Sequence, residues 1–215
     1  MRAIRRFSLA MVIVALAVFP AAAEVIHFKL LPNYSRATFK TDAPLETIVG
    51  NAVAAALTGT LTLDPAKPRE AKGVVTVDMS KVKTGVDKRD SDMLDKTYLD
   101  VASNEANKFV TFEVRGVEIA GPLEPGKEVP AKVRGAFMVK QKPIEVMGDG
   151  RVVWVKLTPE QVEGQKRFGF TGDNIKVRAR FGTLFTNHGM QVPQLLFLKV
   201  SNEIAIETDL TFVRQ

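Results

Sequence analysis

Apolar and polar residues alternate along most of the chain after residue 24. In 57–63, for example, the even-numbered threonines share one face, and Leu57, Leu61 and Leu63 share the other. A period of two is typical of a β-strand with one buried face. The stretches that alternate in this way are 24–30, 35–41, 57–63, 73–80, 109–114, 129–141, 151–157, 174–186 and 203–213. About eight such strands predict an all-β chain whose antiparallel sheet closes into a barrel, because closure removes exposed strand edges.

Turn-forming residues separate these strands. Stretches rich in Pro, Gly, Asn or polar residues occur at 64–68, 121–126, 148–150, 161–166 and 187–189. The first four predict turns or polar loops on composition, and Asn187-His188-Gly189 predicts another turn. The stretch 45–56 fits either a short helix or a loop that leads into a strand, with Gly50 as a hinge.

One segment, 87–106, has a helical pattern instead. Leu94, Tyr98 and Val101 follow one another at i, i+4 and i+7, and charged residues occupy the other positions. This spacing predicts an amphipathic helix of about three turns that docks on the sheet, with Asp87 as its N-cap. A single helical insert in a barrel could serve as a lid over its mouth or as part of its core.

The N-terminus has the pattern of a targeting segment. Three arginines precede an apolar run at 9–19, which is followed by Pro20 and three alanines. This arrangement predicts a signal peptide over 1–23, cleaved after Ala23, and therefore a periplasmic protein with one domain over 24–215. The apolar run is shorter than the roughly 18 residues that a spanning helix needs.

Charge and cysteine content exclude several classes of function. Removing the three arginines of the targeting segment from thirty basic residues leaves a net charge of +3 against 24 acidic residues. This small excess gives no support to nucleic-acid binding, which requires a clustered basic face. The chain has no cysteine, which excludes thiol catalysis, disulfides and cysteine-ligated zinc.

The remaining polar residues do not suggest an enzyme. The chain has two histidines, His27 in a strand and His188 in a turn, and neither neighbourhood suggests a catalytic triad or a three-ligand zinc site. The aspartates between 87 and 100 lack the spacing of a calcium loop and are better explained by helix capping and solvation. We therefore expect no enzymatic activity, no metal and no cofactor other than a bound lipid.

Several motifs together resemble one known family. They are Thr84-Gly85 with Arg89-Asp90, then Leu94, Tyr98-Leu99-Asp100 and Thr111-Phe112, the start at 35–39, the stretch 42–50, Leu63-Asp64-Pro65, and Gly189-Met190 with Val192-Pro193 and Lys199-Val200. In this combination the chain resembles the YceI-like family of exported, lipocalin-like polyisoprenoid-binding proteins over most of 25–213. The chain departs from that pattern at Tyr98-Leu99, at Asn107-Lys108 and near Lys140-Gln141.

The resemblance implies an elongated, eight-stranded lipocalin-like barrel with an apolar tunnel. It also implies a ligand such as a polyprenyl phosphate or a quinone. The inward parities of the strands select the residues expected to line that tunnel: Phe39, Leu61, Val77, Phe112, Phe137, Trp154, Leu198, Ile204 and Ile206. For each of them, simple core packing is the alternative role. Arg89 and Asp90 could touch a ligand head group, although capping and a local ion pair at the helix start explain them better.

The sequence is also compatible with other functions. The same pattern fits a structural or stress-related barrel whose interior is filled by its own side chains. An outer-membrane barrel is disfavoured because its outward face must be apolar, whereas Thr, Lys, Asp and Glu occupy that face here. For the lipid-binding hypothesis, the role could be transport, storage or stress response, with an isoprenoid lipid as partner and peripheral contact with a membrane. Both a monomer and a homodimer are compatible with the sequence.

Overall fold

Eight antiparallel strands form a closed ring in the computed structural model, which describes residues 25–195 and 198–215. The described residues form twelve strands, of which β2 and β3 lie beyond this ring and β10 and β11 form a separate small sheet. The strands are β1 (Ile26–Leu30), β2 (Arg36–Ala43), β3 (Glu46–Val53), β4 (Leu57–Leu63), β5 (Lys72–Asp78), β6 (Phe109–Ile119), β7 (Glu128–Val139), β8 (Lys142–Lys156), β9 (Asp173–Leu184), β10 (Gln194–Leu195), β11 (Leu198–Lys199) and β12 (Glu203–Arg214). The ring runs β1-β4-β5-β6-β7-β8-β9-β12 and closes by pairing of β12 with β1. The predicted eight-stranded antiparallel barrel is therefore confirmed. The predicted signal peptide lies outside the described residues.

Strand β12 connects the two ends of the barrel. One of its edges pairs with β9 along almost its whole length. Its other edge pairs with β1 near the C-terminus of the chain, where Phe212 lies opposite Leu30, and with β2 at the opposite end, where Ile206 lies opposite Phe39. Twelve residues at about 3.3 Å each make a strand of about 40 Å. The barrel is accordingly elongated, and the hairpin of β2 and β3 extends its wall at one end.

The side chains largely follow the predicted alternation, with exceptions such as the end of β12, where Thr211 and Val213 are buried as well. In β12, Ile204, Leu210 and Phe212 are buried inside the barrel. The ambiguous stretch at 45–56 forms β3 and a short 3₁₀ turn, Ala54–Ala56, rather than an α-helix. The other 3₁₀ turns are Pro32–Tyr34, Pro68–Glu70, Met79–Lys81, Glu105–Lys108, Lys166–Phe168 and Phe185–His188.

The turn predicted at 148–150 is wrong, because β8 runs through it without a break. Gly150 is needed for close strand contact, since a Cβ atom there would lie 3.0 Å from the Cα of Ala179 in the next strand. The reversal between β7 and β8 occurs earlier, at Lys140 and Gln141, whose φ angles are 53° and 59°. Two consecutive positive φ angles are typical of a type I′ hairpin turn, which matches the twist of the strands.

The polar loop predicted at 161–166 is also wrong. Helix α2 spans Pro159–Gln165 and begins with a capping box. Gln161 N donates to Thr158 Oγ1 at 3.3 Å, and Thr158 N donates to Gln161 Oε1 at 2.9 Å. A Thr followed by Pro and, three positions after the Thr, by Gln is a start signal that composition alone does not reveal.

The insert between β5 and β6 contains less helix than its apolar stripe predicts. Helix α1 spans Asp87–Asp92, and the chain then continues in turns, with Asp100 at a φ of 56°. The predicted three-turn helix is therefore wrong, and Asp87 is the first helical residue rather than the N-cap. Folding back at Asp100 buries Leu99, which a regular helix would place away from the stripe. Leu94, Tyr98 and Val101 still pack on the apolar cluster at this end of the barrel.

Candidate functional site

The barrel encloses an apolar inner chamber of about 140 Å³ in the half that contains β1. Its wall includes Leu61, Val75, Val152, Ile175 and Phe212, from strands all around the ring. The polar side chains in this wall are three threonine hydroxyls, and none of the described residues that line it is charged. A ligand in this chamber must therefore be apolar, because a buried charge or unpaired polar group would be costly there.

A larger outer chamber of about 660 Å³ lies at the opposite end. Its wall is formed by the β2–β3 hairpin, the insert with α1, and the segment that follows β9. Two residues of its wall, Leu45 and Lys88, have side chains that are largely in solvent. The outer chamber is therefore accessible from outside at this end, which we call the mouth.

The two chambers share part of their walls. Phe39, Met79, Val110, Phe137 and Ile206 line both of them. The two chambers therefore adjoin inside the barrel, and we call the wide outer chamber and the small inner chamber together the lumen.

Four phenylalanines lie where the two chambers adjoin, which we call the constriction: Phe39 and Phe137 line both chambers, and Phe112 and Phe181 line the inner one. The ring of Phe181 lies 5.5 Å from that of Phe112 and 5.0 Å from that of Phe137, measured between centroids. These distances are typical of packed aromatic pairs. The ring of Phe181 therefore packs on those of Phe112 and Phe137, and these three rings form one side of the constriction.

Eight of the nine residues predicted to line a tunnel do line the lumen. Leu61, Val77 and Phe112 line the inner chamber, Leu198 and Ile204 line the outer chamber, and Phe39, Phe137 and Ile206 line both. Their contact with a ligand stays a prediction.

Trp154 is the exception, since it lines neither chamber. It lies near the end of β8, opposite Ile175, and packs partly buried on the core. Its indole N–H donates to Asp173 Oδ1 at 3.0 Å, and Lys156 Nζ lies 4.7 Å from the ring centroid. Alternation gives the side of the sheet on which a residue lies but not its height along the barrel. Trp154 therefore has the inward parity without reaching the lumen.

The sequence interpretation missed several residues of the wall, among them Phe181 and Tyr98. Phe181 belongs to the constriction, and Tyr98 lines the outer chamber. The signal for Phe181 was present, because Ile175, Val177 and Ala179 precede it at the same parity. Tyr98 belonged to the predicted helical stripe, but the sequence did not show that this stripe faces a cavity.

Charged side chains are found at the mouth. Arg89 Nη1 lies 3.2 Å from Glu46 Oε1, and this ion pair joins α1 to the β2–β3 hairpin. Lys88 Nζ lies 2.5 Å from Asp92 Oδ1 within α1. All four residues line the outer chamber, so the polar part of an amphiphilic ligand would be most stable at this end.

Asp90 has a structural role instead. Its Oδ1 accepts hydrogen bonds from Thr84 Oγ1 at 2.6 Å and from Thr84 N at 2.8 Å, and Lys83 Nζ lies 3.3 Å from its Oδ2. The hydrogen bond from the Thr84 hydroxyl is the main cause that lowers the pKa of Asp90 below its ordinary value. The two residues of the Arg89-Asp90 motif therefore have different roles. Arg89 faces the lumen, and Asp90 fixes the turn that precedes the helix.

His188 is completely buried, although the sequence predicts only a turn residue. Its Nε2 lies 2.8 Å from Thr183 Oγ1, and its Nδ1 lies 3.4 Å from the carbonyl oxygen of Lys142. Burial lowers the pKa of His188. The residue of this turn with a positive φ is Gly189. His27 is on the outer face and contacts Thr62.

The described part of the chain provides no assembled metal site, since no three His, Asp or Glu side chains converge there. Within 25–195 and 198–215, no helix is both long enough and apolar enough to cross a membrane.

Comparison with known proteins identifies the fold family. The model of the YceI-like domain matches residues 28–212, which is most of the chain. The chain belongs to the YceI-like family. The predicted family is thus confirmed, and its matched region contains the whole two-chamber lumen.

Solved structures agree with this assignment. A polyisoprenoid binding domain from Saccharophagus degradans, implicated in plant cell wall breakdown, has a TM-score of 0.63 at 13% identity, with 89% of this chain and 100% of that chain covered. Burkholderia cenocepacia BcnA has a TM-score of 0.59 at 16% identity, with coverages of 82% and 95%. The Campylobacter jejuni YceI protein has a TM-score of 0.56 at 14% identity, with coverages of 77% and 84%. At these identities the likeness concerns the fold.

One curated relative is not named as a YceI-like protein. Elongation factor P from Nocardioides sp. is 26% identical over 118 residues, which are 54% of this YceI-like chain. The chain spans 60% of the length of that relative.

Proposed function

We propose that this YceI-like protein binds an isoprenoid chain, such as that of a polyprenyl phosphate or a quinone, in its lumen. The observation that carries the proposal is the apolar lumen, with an outer chamber that opens at the mouth and an inner chamber that adjoins it at the constriction. The Saccharophagus degradans structure of the same fold, described as a polyisoprenoid binding domain, supports the ligand class. Transport, storage or a stress response would each use this binding capacity, and no enzymatic step is proposed.

The size of the lumen is suited to such a chain. A cavity of about 150 Å³ can hold benzene in another protein, so the outer chamber of about 660 Å³ has room for on the order of 25 carbon atoms. Each buried methylene group contributes about 0.8 kcal/mol to binding, so a long hydrocarbon chain needs few polar contacts. The ion-paired residues of the mouth would face its head group.

A barrel filled by its own side chains, with a structural or stress-related role, is the alternative function. It is favoured by the inner half, where the constriction and the surrounding aliphatic residues leave only about 140 Å³. The outer half does not fit this alternative, because its chamber is several times larger and its wall is mostly apolar.

Lipid extraction and native mass spectrometry of the purified protein test the proposal. We expect a co-purifying isoprenoid, and after its removal we expect the protein to rebind polyprenyl phosphate or a quinone. A protein that stays empty with both would overturn the proposal.

Two substitutions on strand β3 supply a matched comparison. Ile48→Trp places an indole inside the outer chamber, whereas Val53→Trp places the same group on the exposed outer face. We expect lower lipid occupancy in Ile48→Trp and unchanged occupancy in Val53→Trp. Equal occupancy in both variants would place the ligand elsewhere.

Contact with a lipid surface belongs to the same proposal. At the mouth, Leu45 exposes 85% of its surface and Val86 exposes 44%. Exposed apolar residues beside the opening could insert between lipid head groups while the ligand is exchanged. Slower transfer of a fluorescent polyprenol from phosphatidylcholine vesicles to Leu45→Ser is expected, and unchanged transfer would contradict it.

Export is also proposed, with cleavage after Ala23 and a periplasmic location. N-terminal sequencing of the protein from a periplasmic fraction should begin at Glu24. Sedimentation of the same sample would decide between a monomer and a homodimer.

A further inference from the structure

Three of the four rings in the constriction lie against glycines of neighbouring strands. Phe39 lies opposite Gly50 in the β2–β3 ladder, and a Cβ atom on Gly50 would lie 2.5 Å from Phe39 Cζ. A Cβ atom on Gly135 would lie 2.6 Å from Phe112 Cε1. One on Gly148, in β8, would lie 3.6 Å from Phe181 Cδ1.

Gly50 and Gly135 determine how far the rings of Phe39 and Phe112 protrude into the lumen, whereas a Cβ atom on Gly148 would make only an ordinary contact with Phe181. Without a Cβ atom, the neighbouring strand leaves space at the wall, and the ring lies in that space. At Gly50, any larger residue would displace the ring of Phe39, because the nearest atoms around its missing Cβ are those of this ring. Phe39 lines both chambers, so its displacement would change the passage between them.

The chamber behind the constriction is small. Its volume of about 140 Å³ is close to that of a cavity of about 150 Å³ that holds benzene. It therefore has room for about six carbon atoms, which is close to the five carbons of one isoprene unit. A chain that enters from the mouth would fill the outer chamber first, and only its end could pass the four rings.

We propose that Phe39, Phe112, Phe137 and Phe181 set the length of isoprenoid chain that the protein binds best. The chain occupies the outer chamber, its last isoprene unit passes the rings into the inner chamber, and further units stay outside the mouth. This inference rests on the proposed function and adds a determinant of chain-length specificity to it.

The test uses the delipidated full-length mature protein and a series of all-trans polyprenols of increasing length. Dissociation constants are measured by competition with a fluorescent polyprenol. In the wild type, we expect affinity to rise by roughly tenfold or more with each added isoprene unit until both chambers are full, and then to level off.

Two variants shift this plateau in opposite directions. Phe181→Ala removes one ring of the constriction, so the plateau should come at a longer chain. Gly50→Ala pushes the Phe39 ring inward, so the plateau should come about one unit earlier. Phe109→Ala is the matched control, because Phe109 neither lines the lumen nor belongs to the buried core. Circular dichroism checks that each variant is folded, and Phe181→Ala alone decides the matter if Gly50→Ala does not fold.

The outcomes separate the two proposals. If the wild type binds polyprenols but its plateau is the same in Phe181→Ala, the inference about chain length is overturned and the ligand class stands. If the wild type binds no polyprenol of any length, the inference about chain length is overturned, and the proposed function is overturned with it if polyprenyl phosphate and a quinone also fail to bind.

Discussion

Arg89 and Glu46 form an ion pair that bridges the mouth of the lumen, with 3.2 Å between Nη1 and Oε1. Arg89 belongs to α1 and Glu46 begins β3, so the pair joins the insert to the hairpin on the other side of the opening. The side chains are 23% and 48% exposed, which places the bond at the boundary between lumen and solvent. A ligand that enters or leaves the outer chamber must pass close to it.

We expect Arg89→Ala to release bound lipid faster. Partly exposed ion pairs contribute about 0.2–1 kcal/mol, so the dissociation rate should increase by up to about fivefold, with little change in thermal stability. Stopped-flow transfer of a fluorescent polyprenol to acceptor vesicles measures this rate.

Lys88→Ala provides the control, because the pair of Lys88 with Asp92 lies within α1 and does not bridge the mouth. The exchanged double variant Arg89→Glu/Glu46→Arg should restore slow release. Equal release rates in Arg89→Ala and Lys88→Ala would show that the bridging pair does not restrain the ligand.

Substitutions of Tyr98 and Leu94 test whether the insert acts as a lid over the lumen or as part of the core. Tyr98 lines the outer chamber, whereas Leu94 packs on the apolar cluster beneath it without lining either chamber. Tyr98→Ala should weaken lipid retention and also lower stability, because its ring packs partly buried on the same cluster. Leu94→Ala should lower the free energy of unfolding by about 1 kcal/mol and leave retention unchanged, since only part of its side chain is buried. Urea unfolding and lipid transfer measure the two effects, and loss of retention in Leu94→Ala alone would reverse these roles.

The sequence alone predicts the barrel and most of the residues that line its lumen. Strict alternation identifies the inward residues of β4 and β12, and closure of the sheet follows from the number of strands. What alternation does not contain is height along the axis, which is why Trp154 was misplaced. It also does not show whether a glycine permits a turn or a close approach. The glycines of 148–150 serve the second purpose, because Gly150 packs on the next strand and Gly148 lies beside Phe181.

The insert was the hardest part to predict for a similar reason. Its helical stripe is real, but tertiary contacts end α1 at Asp92 and turn the chain so that Leu99 is buried. Asp90 is engaged by Thr84 before the helix begins, a contact that spans six residues and has no periodic signal. The buried position of His188 likewise depends on Thr183 and Lys142, which only the folded barrel brings to it.

Burial of His188 predicts a loss of stability at mildly acidic pH. Its pKa is lowered in the folded state, so the unfolded chain takes up the proton more readily below the ordinary value of 6.5. Its contribution to stability is therefore complete above that value and decreases as the pH falls toward the lowered pKa, by up to about 1.4 kcal/mol per pH unit. The Lys142 side chain, which lies beside Gly189, opposes protonation as well.

Urea unfolding at pH 7 and pH 5 measures this effect. His188→Gln keeps a polar side chain next to Thr183 but does not titrate, so its stability should change less between the two pH values than that of the wild type. If the two proteins lose the same free energy of unfolding, the acid sensitivity comes from other groups.

The single tryptophan tests how deep the ligand reaches. Trp154 is outside both chambers, and its indole is held by Asp173 with Lys156 against the ring. Binding of a polyprenol should therefore leave its emission maximum unchanged. In a Trp154→Phe background, Tyr98→Trp places an indole in the wall of the outer chamber, and its emission should shift to shorter wavelength as the ligand excludes water. A clear shift of Trp154 itself on binding would mean that the chain passes the inner chamber and reaches the far end of the barrel, which would contradict the two-chamber arrangement proposed for the ligand.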